Sequence, residues 1–344
     1  MPTLNYANRL LKLQERKFDS ELQTSLISKS FSSRDIPENV KYMLESMRPI
    51  DQEYNNKTIE ASTKVKNHLQ AGYQLHFNRA FRTQGSVRTA TNIRTHSDID
   101  LLAIIDPYHY MAPNVPNSNP YNDSDPDEDI AELRRQSINI LRNIYDEVDH
   151  SGEKSISIYN KSLKRKIDIV FCFWYNTAEY ERTQNEYYRG VCLYKFPVKQ
   201  RENDFPFAHM GNVNYKGDNT RDGSRRGIRL LKTLRADCET EIKQVSSFHL
   251  TTIAHATPNE HLLYRAPGSE IAIARALSDE MGKLIQNPYY RESVKSPNGI
   301  ETPLANDELV PEIKLIKADL DSLIEDSAKE ILSSEVVKQA IRNY

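Results

Sequence analysis

The stretch Ser97-Asp98-Ile99-Asp100-Leu101-Leu102-Ala103-Ile104-Ile105 reads as a buried strand that opens on two carboxylates. Side chains alternate faces along a strand, so Asp98 and Asp100 share one face about 6.6 Å apart. Ile99 and Leu101 then point to the opposite side, into a core. A glycine turn, Gln84-Gly85-Ser86-Val87-Arg88, precedes the strand at short range. A third acid, Asp168, interrupts a second apolar run, Lys166-Ile167-Asp168-Ile169-Val170-Phe171-Cys172-Phe173-Trp174. A buried carboxylate is costly unless paired or bound to metal. Three of them on neighbouring strands repel one another unless a divalent cation neutralises them. The bland alternative is three unrelated edge or surface acids.

Hard cations want oxygen ligands, which makes Mg²⁺ or Mn²⁺ the natural guest and a nucleoside triphosphate its natural cargo. Paired ions stabilise both the attacking and the leaving oxygen in nucleotidyl transfer. Under this reading Asp98 and Asp100 hold the triphosphate-bound ion. Asp168 completes the second site, where a ribose hydroxyl loses its proton. Gly85 lets backbone approach phosphate, and Ser86 offers a hydroxyl and an amide. Gln84 either assists them or is an exposed amide before a turn. The chain has no G-x-x-x-x-G-K-[ST], no G-x-G-x-x-G and no G-x-S-x-G, which removes the P-loop, Rossmann and acyl-hydrolase readings.

A second constellation lies downstream. Arg221, Arg225, Arg229, Lys232 and Arg235 follow helical spacing and form a basic stripe, which most often is a solvated face. Lys232 stands apart because Ser246-Ser247-Phe248-His249-Leu250 opens the next helix. Lys232 and Ser247 from adjacent helices would grip the β- and γ-phosphates. Phe248 either stacks on the base or packs in a core.

The 344 residues suffice for two domains, and 38% hydrophobic with 27% charged residues describe a soluble globular chain. A net charge of −2 gives no reason to expect duplex DNA or an anionic membrane as partner. No apolar run reaches transmembrane length, and the first thirteen residues lack a signal-peptide pattern. Cys172, Cys192 and Cys238 fit free thiols in a reducing, cytoplasmic setting. No Cys/His cluster suggests structural zinc.

Along the chain, residues 1–34 read as a helical arm ending in the polar run Ser28-Lys29-Ser30-Phe31-Ser32-Ser33. An amphipathic pattern then runs from Pro37 to Gly72, with Pro49 as a break or kink. Residues 106–129 read as an exposed loop, Ile130–Val148 as a helix, and Ser155–Tyr159 and Lys166–Tyr175 as strands. Helices are expected at Thr220–Glu239, Ser246–Ala256, Ser269–Gln286 and Asn306–Leu332. The segment Pro297–Asp307 either borders the pocket or links helices, with the linker favoured. The order gives an α+β fold, with a mixed lobe at 35–217 and an α-helical lobe at 218–344.

Gly85-Ser86, Asp98-x-Asp100 and Asp168 together resemble the DNA polymerase β-like nucleotidyltransferases. Arg229-Leu230-Leu231-Lys232 and the Ser246–Leu250 segment look like the helical region of the cGAS/DncV-like branch, the CD-NTases. The resemblance runs from about Val40 to the end. It implies a bilobal enzyme with a mixed-sheet catalytic lobe, a long spine helix and a nucleotide cleft. It further implies two Mg²⁺ or Mn²⁺ ions and NTP substrates, ATP among them, cyclised into a di- or trinucleotide second messenger. In bacteria such messengers act in CBASS anti-phage defence through a separate effector protein. The alternative within the superfamily is transfer to RNA or protein, as in tRNA-tailing enzymes or toxins.

Overall fold

The computed structural model describes residues 4–17, 35–95, 97–160 and 165–342. The polar run at 28–33 lies outside the described residues. Helix α1 spans Tyr6–Lys17, α2 spans Glu38–Met47 and α3 spans Gln52–Gly72. The pattern from Pro37 to Gly72 is therefore two helices. Pro49 cannot continue α2, and Asp51 restarts the chain by capping the Glu53 amide at 2.8 Å. The two helices also serve different cores. Tyr42, Met43 and Met47 of α2 pack with apolar residues of the C-terminal helices. Ala61, Val65 and Leu69 of α3 pack on strand residues.

The chain divides accordingly into two compact units. One comprises residues 51–88 and 96–211, the other residues 1–50, 89–95 and 212–344. Residues 35–50 and 89–95, placed by the sequence reading in the mixed lobe, group with the helical unit.

In the first unit, β1 (Arg79–Gln84), β2 (Ile99–Met111), β3 (Glu147–Asp149), β4 (Ser155–Asn160), β5 (Arg165–Asn176), β6 (Gly190–Lys195) and β7 (Gln200–Asp204) form one mixed sheet. Its order is β1-β2-β5-β4-β3, with β6 pairing both β5 and β7. Only β2 and β5 run parallel among the described pairs. One face of these strands carries Ile99, Leu101, Ala103, Ile105, Ile167, Ile169, Phe171 and Phe173, all buried in a core shared with α3. Helix α4 (Pro126–Arg142) adds Ile130, Leu133 and Leu141 to that core. The other face holds Leu102, Ile104, Cys172, Trp174 and Val191 farther along the strands. Alternation thus puts Asp100 and Asp168 on this second face, beyond the end of its apolar cluster.

Three details depart from the sequence reading. Residues 106–111 are strand, not loop, because β2 crosses Pro107 with a register shift between Ile105 and His109. Asp106, skipped by the pairing with β5 there, accepts a hydrogen bond from the Trp174 indole at 2.8 Å. Helix α4 starts four residues early, capped by Asp125 with Pro126 in its first turn, and stops at Arg142. Val148 instead pairs with Ile158 in the sheet. Strands β6 and β7 were not anticipated.

In the second unit, α5 (Pro206–Asn219, which contributes its latter part), α6 (Gly223–Asp237), α7 (Ser247–Ala256), α8 (Glu270–Gln286), α9 (Val310–Ser333) and α10 (Glu335–Arg342) supply the C-terminal helices. Leu230, Leu231 and Leu234 of α6 lie in a core with Ile253, Leu277, Met281, Ile316 and Leu320. Val337 and Ile341 of α10 close a smaller cluster with Ile36, Val40 and Leu44. No described helix is long and apolar enough to cross a membrane.

Candidate active site

Register positions the acids. In the parallel pair of β2 with β5, Asp100 is the direct partner of Asp168. Parallel neighbours lie about 4.8 Å apart, and partners in register point to the same face. Asp98 lies one residue before β2, and its carboxylate reaches Lys166, which lies on β5 two residues before Asp168. The four residues form a small grid of three acids and one lysine.

Within the grid, the Lys166 ammonium stands 3.0 Å from Asp168 Oδ2 and 3.5 Å from Asp98 Oδ2. Ser157, the β4 partner of Asp168, donates its hydroxyl to Asp168 Oδ1. Gln84, the β1 partner of Asp100, donates from Nε2 to Asp100 Oδ2 at 3.4 Å. Among the described residues, no three His, Cys, Asp or Glu side chains are already drawn to metal-ligating distance. Lys166 gathers Asp98 and Asp168 instead.

The acids differ in exposure. Asp98 has 52% of its side chain exposed and Asp168 only 18%, so the expectation of three buried acids holds unevenly. Asp98 sits one residue before β2, outside the sheet ladder. The Asp100 carboxyl is pushed up to about 6, first by burial and then by the negative charge of Asp168; Gln84 pulls in the opposite direction. An acid held this way gains from a cation on its open side. Three carboxylates on one sheet face, all hard oxygen donors, therefore fit divalent Mg²⁺ or Mn²⁺.

Gly85 follows β1 with φ of 104°, a left-handed conformation that an L side chain adopts only with strain. A Cβ there would stand 3.7 Å from Asp100 Oδ2. The turn closes with the Arg88 amide donating to Gly85 O at 3.1 Å, which leaves half-buried Ser86 at its tip. The sequence reading thus names Gln84, Gly85, Ser86, Asp98, Asp100 and Asp168, and the sheet unit brings them together. It missed Lys166 and Ser157. Lys166 carries a signal in its same-face parity with Asp168 on one strand; Ser157 gains its place only through the pairing of β4 with β5.

The helical unit treats its charged residues differently. Arg229 is fully buried and its guanidinium donates to Met47 O at 2.7 Å, Ala90 O at 2.6 Å and Asp222 Oδ2 at 2.6 Å. The stripe is therefore not a uniformly solvated face. Burial draws the Arg229 guanidinium down to about 10. Lys232 is 8% exposed, and its ammonium donates to Thr91 O at 3.2 Å and Thr91 Oγ1 at 3.4 Å. Burial, then the nearby Arg229 charge, lowers it to about 8. Ser246, not Ser247, caps α7, in a reciprocal box with His249. Ser247 is exposed in the first turn and Phe248 is half-buried beside it.

A mixed sheet presenting in-register acids beside a glycine turn, followed by a helical unit, is the architecture of a nucleotidyltransferase. No protein-family model matches the chain. Individual relatives do. The cyclic dinucleotide synthase CdnE of Yersinia aleksiciae is 30% identical over 85% of this chain and 77% of its own length. A c-di-GMP synthase of a Lachnospiraceae bacterium is 31% identical, covering 75% of this chain and 81% of that protein. The solved STING-associated CdnE c-di-GMP synthase of Capnocytophaga granulosa superposes with a TM-score of 0.80 at 28% identity. That match covers 95% of this chain and 99% of the other. The chain belongs to the CD-NTase family, with the family's bilobal nucleotidyltransferase fold, and is an enzyme of cyclic oligonucleotide synthesis.

Proposed function

We propose that the chain joins two nucleoside triphosphates and closes them into a cyclic dinucleotide, with GTP the preferred substrate. The guanine choice is supported by relatives named as c-di-GMP synthases. It narrows the expectation that ATP is among the substrates. The observation that carries the chemistry is the register pairing of Asp100 with Asp168 on one open sheet face.

Asp98, Asp100 and Asp168 would hold two divalent ions there. When bound, such ions neutralise triphosphate charge and stabilise the attacking and leaving oxygens. The chain's own groups do the rest. Gly85 keeps the turn free of a side chain beside Asp100, so that phosphate oxygens reach the backbone amides and the Ser86 hydroxyl. Gln84 and Ser157 orient the carboxylates of Asp100 and Asp168 through hydrogen bonds. Lys232, Ser247 and Phe248 are assigned to the triphosphate and the base. The product would signal to a separate effector in the bacterial cytoplasm, as part of anti-phage defence.

The test is direct. Purified protein is incubated with α-labelled GTP or ATP and Mn²⁺ or Mg²⁺, treated with phosphatase, and resolved against standards. A phosphatase-resistant product comigrating with c-di-GMP is expected from GTP alone. Label appearing only on added RNA or protein would overturn the reading.

A further inference from the structure

Lys166 has no part in the chemistry given above, yet it is the cation that reaches two of the acids. Its ammonium lies 3.0 Å from Asp168 Oδ2 and 3.5 Å from Asp98 Oδ2, bridging a carboxylate of β5 and one just before β2. The placement follows from the backbone. Lys166 and Asp168 alternate onto one face of β5, and the chain that enters β2 at Ile99, opposite Ile167, brings Asp98 within reach of Lys166. Two carboxylates this close repel unless a cation stands between them, and the lysine supplies that charge from within the chain.

We propose that Lys166 is a built-in counter-cation that competes with the divalent ion for Asp98 and Asp168, and so sets how tightly the site takes metal. The inference rests on the assignment of these acids as metal ligands. The reason is electrostatic: an ammonium and a divalent ion cannot share the same two oxygens without strong repulsion. Lys166 has 43% of its side chain exposed, and its long stem can carry the ammonium out toward water when metal arrives. Ser157 keeps Asp168 Oδ1 engaged, leaving Oδ2 as the oxygen over which the two cations compete. In the metal-free enzyme the lysine thereby offsets part of the repulsion among the acids and leaves the rest for a divalent ion to remove.

The experiment is Mn²⁺ binding to the full chain without nucleotide, followed by calorimetry. Lys166→Met is expected to tighten Mn²⁺ about tenfold. Lys166→Arg keeps the charge and is expected to stay near wild type. Equal or weaker Mn²⁺ binding by folded Lys166→Met overturns the proposal while leaving the ligand assignment standing. Absence of Mn²⁺ binding in both wild type and Lys166→Met, with Asp168→Asn equally silent, sinks the ligand assignment and the proposal with it. A measurement on wild-type protein avoids any folding defect: amine labelling read by mass spectrometry. Mn²⁺ is expected to raise the labelling of Lys166 severalfold, and unchanged or reduced labelling contradicts the competition.

Discussion

The two units handle charge in opposite ways. In the sheet unit, charged groups sit on an open sheet face, and their neighbours orient them without using them up: Gln84 on Asp100, Ser157 and Lys166 on Asp168. In the helical unit, Arg229 spends its donors on two carbonyls and Asp222, and Lys232 spends its ammonium on Thr91. A carboxylate near the start of a strand keeps lone pairs for a ligand. A guanidinium sealed among helices is committed to the fold. The contrast separates residues poised for chemistry from residues that hold a lobe together.

The widest separation should appear in activity. Asp100→Asn or Asp168→Asn is expected to lower cyclic dinucleotide formation on the order of 10³-fold or more, measured with labelled GTP, while circular dichroism stays native. Variants that retain near-normal turnover would place the chemistry elsewhere. Arg229→Met should do the reverse. It leaves Asp222, Met47 O and Ala90 O without their donor, a loss of about 3 kcal/mol read by chemical denaturation. A stability change below about 1 kcal/mol would show that the buried guanidinium is not what holds those segments.

The same contrast explains what the sequence made legible. Period-two alternation in Asp98–Ile105 and Lys166–Trp174 fixes which side chains face which side, so the acids could be read directly. The pairing of Asp100 with Asp168 could not, because register depends on how distant strands align. Lys166 and Ser157 were passed over for the same reason: their meaning comes from neighbours on other strands. The crossing of Pro107 was hidden because proline ordinarily ends a ladder, and only the bulge with the Asp106–Trp174 bond lets β2 continue. In the helical unit, spacing suggested a basic stripe from Arg221 to Arg235, but Arg221 lies in the turn before α6 and Arg229 and Lys232 are buried. Spacing gave no sign that Arg229 faces inward, since a helix face shows its environment only once its partners are packed.

The acid with the raised pKa offers a pH test of the open-site side. Asp100 titrates near 6 when folded, above the ordinary 3.8, because burial and Asp168 disfavour its charge. Its contribution to stability is therefore fully present below pH 3.8 and is lost as pH rises through about 6. Above that, metal-free protein carries a charge it would rather not hold. Asp100→Asn should raise metal-free stability by about 1–2 kcal/mol at pH 8, discounted for partial exposure, and by nothing measurable near pH 4. A uniform gain across pH would show that the effect is packing rather than charge.

Lys232 gives the smallest effect and the sharpest test of the comparison, because it belongs by structure to the committed group and by assignment to the phosphate-binding group. Its ammonium is nearly buried and lowered to about 8, so the fold gains little from its charge. Lys232→Met keeps the aliphatic stem and should change stability by less than about 1 kcal/mol, with Thr91 O losing one donor. If Lys232 meets the triphosphate, KM for GTP should rise about tenfold with kcat reduced less. A variant with unchanged KM and a clear stability loss would move Lys232 beside Arg229, as a residue that holds the helical unit together and nothing more.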